Sequence, residues 1–204
     1  MQRIVVPGEK LVNTPIRIEN TISDKNGTYA CVLGYFDEEH KTVIPLEGLW
    51  QPRHGDSVIG IVEEEKANIY VINLNSPYKG LALTKFIDTD LSVGDIVSAT
   101  VKELEKGGTV MLLKPMKLNG GKLMAVSSSK IPRIIGKGNS MLKQIMDGTK
   151  TTISVGLNGV IWLKGGNIDL ATDAILKIQD EAHTHGLTER IKTMLGADPS
   201  NQVK

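Results

Sequence analysis

Short apolar runs separated by turn-forming residues fill the first 115 positions of the chain. Alternation of apolar and polar residues over runs of this length predicts β-strands. Between Gly55 and Pro115 the pattern predicts five strands, and two of them begin with the same G-D-x-V-x-x-x-V spacing, at Gly55 and Gly94. Five short strands in one continuous segment are typical of a closed barrel of the OB type. We therefore expect such a barrel over residues 55–115.

Residues 1–54 contain three further apolar runs, at positions 3–6, 28–36 and 41–46. Pro-Gly, Asn-Gly and acidic segments separate these runs, as expected for turns between strands. The pattern predicts a small N-terminal β domain. Its six basic and seven acidic side chains give it a net charge of −1, so it is poorly suited to holding RNA.

The periodicity changes after residue 115, where helical spacing appears among the strands. The pattern predicts, in order, a strand at 122–126, a helical turn at 131–135, a helix at 139–146, strands at 151–155 and 160–163, and a helix at 168–183. This β-α-α-β-β-α order, with a glycine-rich loop between the first two helices, is that of a KH domain. We assign residues 116–196 to it, including a last helix at 188–195, and expect a frayed tail at 197–204. The predicted fold class is multi-domain and mostly β, with an α+β C-terminal part.

Positive charge is concentrated in one part of the chain. Residues 117–164 contain eight basic side chains and one acidic side chain, whereas residues 1–115 contain 12 basic and 16 acidic ones. Such a segment can neutralise nucleic-acid phosphates or anionic lipid. No segment is long and apolar enough to span a bilayer, so nucleic acid is the better interpretation.

The loop Gly136-Lys137-Gly138-Asn139 lies at the centre of this basic segment. It lacks the glycine and hydroxyl positions of a Walker loop and the third glycine of a dinucleotide fingerprint. It fits the GxxG loop with which KH domains clamp a nucleic-acid backbone, except that Asn139 replaces the second glycine. Asparagine tolerates the left-handed conformation and can cap the following helix, so we expect the loop to retain its shape.

We predict that RNA contacts this region and one face of the barrel, because barrels of this type bind nucleic acid on a sheet surface and its flanking loops. In the barrel the alternative is that the aromatic residues are core and the lysines a solvated rim. The predicted RNA-binding residues are Lys130, Arg133, Ile135, Gly136, Lys137, Gly138 and Asn139 in the KH domain, and Tyr78, Lys79, Lys85 and Phe86 in the barrel.

A second GxxG sequence, Gly156-Leu157-Asn158-Gly159, lies between two predicted strands. No helix begins behind it to receive a phosphate. We interpret it as a hairpin turn.

The sequence predicts no catalytic residues, no metal site and no cofactor. His183 and His185 are two positions apart near a helix end, which is poor spacing for a metal pair. The glycine-rich region has one carboxylate, Asp147, whereas nucleolytic sites gather several around Mg²⁺. The single cysteine, Cys31, is expected to be a buried thiol and agrees with a reducing, cytoplasmic location.

Five segments, in order and over nearly the full length, resemble the RNA-binding cap subunit of the archaeal exosome that carries a KH domain. They are VVPGE at 5–9, IPLEGLW at 44–50, PRHGDSVIGIV at 52–62, IPRIIGKGNSML at 131–142 and GLNG at 156–159. The resemblance implies an N-terminal domain that docks on a ring, an S-one-like barrel and a type I KH domain. Polynucleotide phosphorylase also has both RNA-binding modules, but in the reverse order.

The resemblance also implies a function without catalysis. In that family three cap subunits sit on a hexameric ring of RNase-PH-type subunits, bind single-stranded RNA, favour adenine-rich 3′ tails and feed the strand into the ring for 3′-to-5′ degradation. The cap can also contain the family's other cap subunit. Two alternatives remain open from the sequence: a free-standing RNA-binding factor associated with ribosomes or translation, and an enzyme in its own right.

Overall fold

The computed structural model describes residues 2–18, 20–39, 41–45, 48–86, 90–105, 107–182 and 186–196. The chain divides into two compact units, Met1–Leu49 and Trp50–Lys204. The first unit corresponds to most of the predicted N-terminal domain, and the second contains the barrel together with the KH domain. Trp50 belongs to the second unit, where it is buried in the barrel core and donates a hydrogen bond from Nε1 to Asp56 (2.9 Å).

The first unit consists of two three-stranded antiparallel sheets, with strand orders β1-β5-β6 and β2-β4-β3. Its strands are β1 (Gln2–Val5), β2 (Lys10–Val12), β3 (Thr21–Asp24), β4 (Gly27–Ala30), β5 (Gly34–Asp37) and β6 (Thr42–Pro45). A small core of Val5, Ile18, Ala30, Phe36 and Val43 lies within the unit. The predicted β domain is therefore confirmed.

The apolar run at 28–36 is not one strand, as the sequence suggests, but two. β4 pairs with β2 and β3, whereas β5 pairs with β1 and β6, so the chain changes sheet between them. Cys31 lies at this change of sheet and is exposed. The expectation of a buried thiol is wrong, because the side chain of Cys31 lies on the solvent side of the connecting segment, whereas the neighbouring Val32 packs against the core of the unit.

The barrel is closed by five strands in the order β10-β11-β9-β8-β7, as predicted. All neighbours are antiparallel except β9 and β11, which are parallel. The strands are β7 (Ser57–Lys66), β8 (Ile69–Asn73), β9 (Lys79–Leu83), β10 (Ile96–Glu105) and β11 (Thr109–Lys117). Alternate residues such as Val58, Val62, Ile72, Val97 and Val110 point inward and are buried, which follows from the period of two along a strand.

The KH domain has the predicted β-α-α-β-β-α order, followed by a last helix. Its elements are β12 (Lys122–Ala125), α1 (Ile131–Ile135), α2 (Ser140–Thr149), β13 (Thr152–Val155), β14 (Val160–Lys164), α3 (Ile168–Asp180) and α4 (Leu187–Gly196). The antiparallel sheet has the order β12-β14-β13. One core joins it to the helices through Ile134, Ile145, Ile161, Ile175 and Ile178, all fully buried. His183, His185 and the tail at 197–204 lie outside the described residues.

The turn at 156–159 connects β13 to β14, which confirms the hairpin, and it also contacts the barrel. The side chain of Asn158 is buried and spans the two domains. Its Oδ1 accepts a hydrogen bond from the amide of Ile59 (3.2 Å), and its Nδ2 donates to the carbonyls of Ile59 and Leu74 (2.8 Å each). The amide of Leu157 donates to the carbonyl of Ser57 (2.7 Å). These bonds attach the KH hairpin to the backbone of β7 and of Leu74, the residue that follows β8.

Apolar contacts extend the same junction. Ile59 of the barrel packs with Val160 and Trp162 of β14 in one buried cluster. Gly156 is required here because a Cβ atom at this position would lie 2.3 Å from Asn158 Oδ1 and 2.8 Å from the nitrogen of Ile59. Any residue with a Cβ atom at position 156 would push the hairpin away from the barrel.

Candidate nucleic-acid interface

The glycine loop lies between α1 and α2 and is open to solvent at its tip. Gly136 adopts a φ of 72°, and a Cβ atom there would lie 2.8 Å from both the nitrogen and the Cβ of Met141. Gly138 has a φ of 61° and no atom within 4 Å of its Cβ position. The first glycine therefore lets the chain fold tightly back onto α2, and the second leaves the outer surface of the loop bare. A bare backbone surface is what close approach of a phosphate requires.

Asn139 takes the left-handed conformation that its position requires, with φ 63° and ψ 18°. Its expected role as a side-chain cap of α2 is wrong, because it forms no capping hydrogen bond. A capping residue normally has an extended backbone that turns its side chain over the first helical turn, and a left-handed residue does not. The N-cap residue of α2 therefore leaves the first amides of the helix uncapped by its side chain, and the first turn has no acidic residue.

Four lysines of the basic segment have no side-chain partner within the described part of the chain: Lys130, Lys137, Lys143 and Lys150. Lys137 lies in the loop, Lys143 lies on α2 and Lys130 precedes α1, so the structure brings these three to the loop and the helices on either side of it. Lys137 and Lys143 are exposed and Lys130 is half-buried. Unpaired lysines attract phosphates more strongly than paired ones, because no carboxylate competes.

The other basic residues of the segment have partners on the protein. Lys117 Nζ lies 2.6 Å from Asp95 and, with the amide of Ser92, holds the pKa of that carboxyl below its usual value. Lys164 donates to the carbonyl of Asn119 (2.8 Å), and Lys122 lies 4.0 Å from the well-exposed Asp169. The charge available to a ligand is therefore smaller than the count of basic residues suggests.

Arg133, a predicted RNA contact, is exposed but has a structural role as well. Its Nε donates a hydrogen bond of 2.9 Å to the carbonyl of Ala182, just beyond α3. Ile135, another predicted contact, is half-buried and packs against the core of the KH domain. Neither position is as free to meet RNA as Lys137.

The predicted barrel residues lie apart from the loop, on β9 and the segments on either side of it. Tyr78 is half-buried, packs edge-on against Trp50 and donates a hydrogen bond from its hydroxyl to Gln51 (3.0 Å). Lys79 is exposed, with Nζ 3.8 Å from Glu63. Lys85 is exposed within the turn Thr84–Phe86, and the side chain of Phe86 lies outside the described residues.

Acidic residues of the barrel lie close to Lys79. Glu63, Glu64 and Glu65 follow one another on β7, and a hydrogen bond from Lys66 holds the pKa of Glu64 below its usual value. Ionised carboxylates beside Lys79 oppose the approach of a phosphate. The KH loop is therefore the better electrostatic match for RNA.

The predicted site residues omit Lys143 and Lys150, although the charge count includes them. Helical spacing was the available signal for Lys143, because it places this residue on the face of α2 opposite the buried Met141 and Ile145. In the part of the chain that the structure describes, no group of three or more His, Cys, Asp or Glu side chains could hold a metal ion. No described helix has the length and apolar character needed to cross a membrane.

Comparisons with known proteins agree with this architecture. A sequence profile of the KH domain matches residues 121–169. The chain is similar to exosome complex component Rrp4 of Pyrococcus furiosus, at 38% identity over 95% of this chain and 83% of that protein. It is also similar to exosome complex component Rrp4 of Methanothermus fervidus, at 36% identity over 94% of each chain. A solved structure described as a candidate exosome complex RNA-binding protein matches with a TM-score of 0.65 and 30% identity, over 72% of this chain and 95% of that one.

Proposed function

The chain belongs to the Rrp4 family of exosome complex components, the family that its sequence motifs indicate, and we propose that it holds single-stranded RNA for that complex without catalysing cleavage. The observation that carries this proposal is the glycine loop of the KH domain, open at its tip and accompanied by lysines that have no partner among the described residues. Backbone phosphates would lie against Gly138, next to the first amides of α2 and the ammonium group of Lys137.

We further propose that the strand held by the loop continues into a hexameric ring of RNase-PH-type subunits, and that adenine-rich 3′ tails are preferred. Three copies form the cap on that ring, alone or together with the family's other cap subunit. A cytoplasmic location suits a chain with one cysteine, the exposed Cys31, and therefore no internal disulfide.

The N-terminal unit is the proposed docking surface for the ring. Ile4 and Val6 are 58% and 51% exposed, and they point to the same side because they are two positions apart on and just after the edge strand β1. The charged groups beside them are already paired, since Arg3 bonds to Glu9 and the amide of Val6 also bonds to that carboxylate. These two bonds hold the pKa of Glu9 below its usual value. The exposed surface is apolar, and the charged groups at its edge neutralise each other. Such a surface suits a protein partner better than RNA.

Purified protein is expected to bind single-stranded RNA with strong salt dependence. Each phosphate neutralised on a single strand contributes a slope of about 0.7 to the plot of log affinity against log salt, so the three unpaired lysines around the loop predict a total slope of about 2. Fluorescence anisotropy with a labelled oligonucleotide at several salt concentrations measures it. The RNA should remain intact with phosphate and Mg²⁺ present. A flat salt dependence, or shortening of the RNA by rigorously pure protein, would contradict the proposal.

Replacing Ile4 and Val6 with glutamate is expected to abolish association with the ring while leaving RNA affinity within about twofold. Both side chains are exposed, so their replacement removes apolar contact area without disturbing the core of the unit. Co-purification of tagged protein with ring subunits from cell extract measures the effect. Ile22→Glu is the matched control, since Ile22 is 66% exposed on the other sheet of the unit.

If the Ile4/Val6 double variant still co-purifies with ring subunits, the docking surface lies elsewhere on the chain. A wild-type protein that never co-purifies with ring subunits would favour the free-standing RNA-binding factor instead.

A further inference from the structure

A cleft of about 310 Å³ lies between the barrel and the KH sheet, beside the turn that joins them. The barrel side is formed by β7 and the end of β8, and the KH side by β12 and the start of β14. Its lining includes Ile61, Asn73, Asn75, Leu123 and Val160. The volume is at the lower end of the range that small-molecule sites occupy.

The walls of this cleft are mostly apolar. Leu123 and Val160 belong to the cluster that joins the KH sheet to the barrel, so their positions are fixed by packing. Ile61 faces them from the outer surface of β7 and is 41% exposed, the largest apolar side chain on that side of the cleft. Aliphatic side chains on two sides of a narrow space suit a flat ring, because both faces of the ring lose contact with water.

Two asparagines lie at the barrel side of the cleft, and the backbone orients the side chain of the first of them. Asn73 Oδ1 accepts a hydrogen bond from the amide of Asn75 (2.9 Å), which orients the first carboxamide. Between them, the side chain of Leu74 is fully buried and its carbonyl accepts the hydrogen bond from Asn158 Nδ2 (2.8 Å). The backbone of the segment is thus held by the KH hairpin, and the carboxamide of Asn73 is preorganised.

Both carboxamides retain unused hydrogen-bonding groups. Within the described residues, Asn73 Nδ2 has no acceptor and the side chain of Asn75 has no partner, so donors and an acceptor remain available on two residues that line the cleft. The edge of a nucleobase offers complementary donors and acceptors, and carboxamides are common partners for it.

We propose that this cleft binds one nucleobase of the RNA strand, with its ring between Ile61 and Leu123 and its edge on Asn73 and Asn75. The inference rests on the proposed function, because it supplies a base contact to a protein whose glycine loop supplies phosphate contacts. Lys79 pairs with Asn73 across β8 and β9, but its Nζ lies 3.8 Å from Glu63, so the phosphate contacts are left to the glycine loop. None of the RNA-binding positions predicted from the sequence lines the cleft itself.

Nuclear magnetic resonance of the full ¹⁵N-labelled chain tests the site directly. Adenosine 5′-monophosphate should shift the side-chain amide signals of Asn73 and Asn75 in a saturable manner, whereas ribose 5-phosphate, which lacks the base, should not. The signals are assigned by their absence from spectra of the Asn73→Ala and Asn75→Ala variants. If these chemical shifts do not change on addition of the nucleotide, or change equally with ribose 5-phosphate, the proposal is overturned.

The double variant Asn73→Ala/Asn75→Ala should lower affinity for a ten-nucleotide RNA about tenfold, the loss expected for one or two hydrogen bonds to a base. The slope of affinity against salt should not change, because no phosphate contact is removed. Asn68→Ala is the matched control, since Asn68 is an exposed asparagine in the turn between β7 and β8, outside the cleft.

The outcomes separate the two proposals. RNA affinity of the double variant within twofold of wild type, with wild-type binding intact, would refute the base site and leave the proposed function standing. Failure of the wild-type chain to bind any single-stranded RNA would overturn both.

Discussion

Replacing Asn158 with alanine is expected to lower the free energy of unfolding of the barrel and KH unit by about 3 kcal/mol. The substitution leaves the amide and carbonyl of Ile59 and the carbonyl of Leu74 without their partner at a buried junction. Buried polar groups that lose their partner cost about 1–3 kcal/mol, and part of that cost is recovered where water enters the gap. Urea unfolding followed by tryptophan fluorescence measures the effect, because Trp50 and Trp162 both lie in this unit.

The Asn68→Ala variant is the control, since it removes a carboxamide that is exposed. Equal unfolding midpoints for Asn158→Ala and Asn68→Ala would show that the junction does not depend on this side chain.

Asn158→Asp separates the donor from the acceptor of the carboxamide. The aspartate can still accept from the amide of Ile59, but when ionised it faces two carbonyl oxygens. The buried, repelled carboxylate should have a pKa above its unfolded value, so the folded state binds the proton more tightly. Stability of this variant should therefore be greater at low pH and decrease as the pH rises through the raised pKa.

Reversing the charge of Lys137 and Lys143 together is expected to weaken RNA binding by about 2–3 kcal/mol and to lower the salt slope by about 1.5, since two phosphate contacts are lost. Both side chains are exposed and have no partner among the described residues, so the melting temperature should change little. Anisotropy titrations at several salt concentrations provide both quantities.

The matched control for this double variant is Lys177→Glu/Lys192→Glu, which changes the net charge equally on α3 and α4. Those two lysines already lie beside Glu181 and Glu189, at 4.0 and 2.8 Å. If both double variants lose the same affinity, the effect comes from net charge alone and the loop does not hold RNA. Lys79→Glu then tests whether the barrel does.

The barrel and the KH domain could be predicted because their strands and helices each show a regular apolar period. The N-terminal unit was harder to predict. β2 has only three residues, and β3 is polar apart from the exposed Ile22, so neither strand shows alternation toward a core. The change of sheet at Cys31 depends on strand pairing between distant segments, which local composition does not encode.

The sequence predicted which segment contains the candidate site, but not which of its basic side chains bond to other residues of the protein. The charge count located the basic segment, yet the bond between Lys117 and Asp95 and the bond from Arg133 to Ala182 appear only when the chain is folded. The role of Asn158 was missed for the same reason. Its partners Ile59 and Leu74 are 99 and 84 positions away, and a GxxG turn between two strands looks the same whether or not a barrel lies beneath it.

The attachment of the KH hairpin to the barrel has a consequence for how a strand would be gripped. Two modules on a flexible tether must be ordered anew each time the second one engages, and that loss of freedom offsets part of the second contact. Here the junction was ordered when the chain folded. An RNA long enough to contact both the glycine loop and the barrel therefore binds two sites whose separation is constant. That separation fixes how many nucleotides lie between the two contacts.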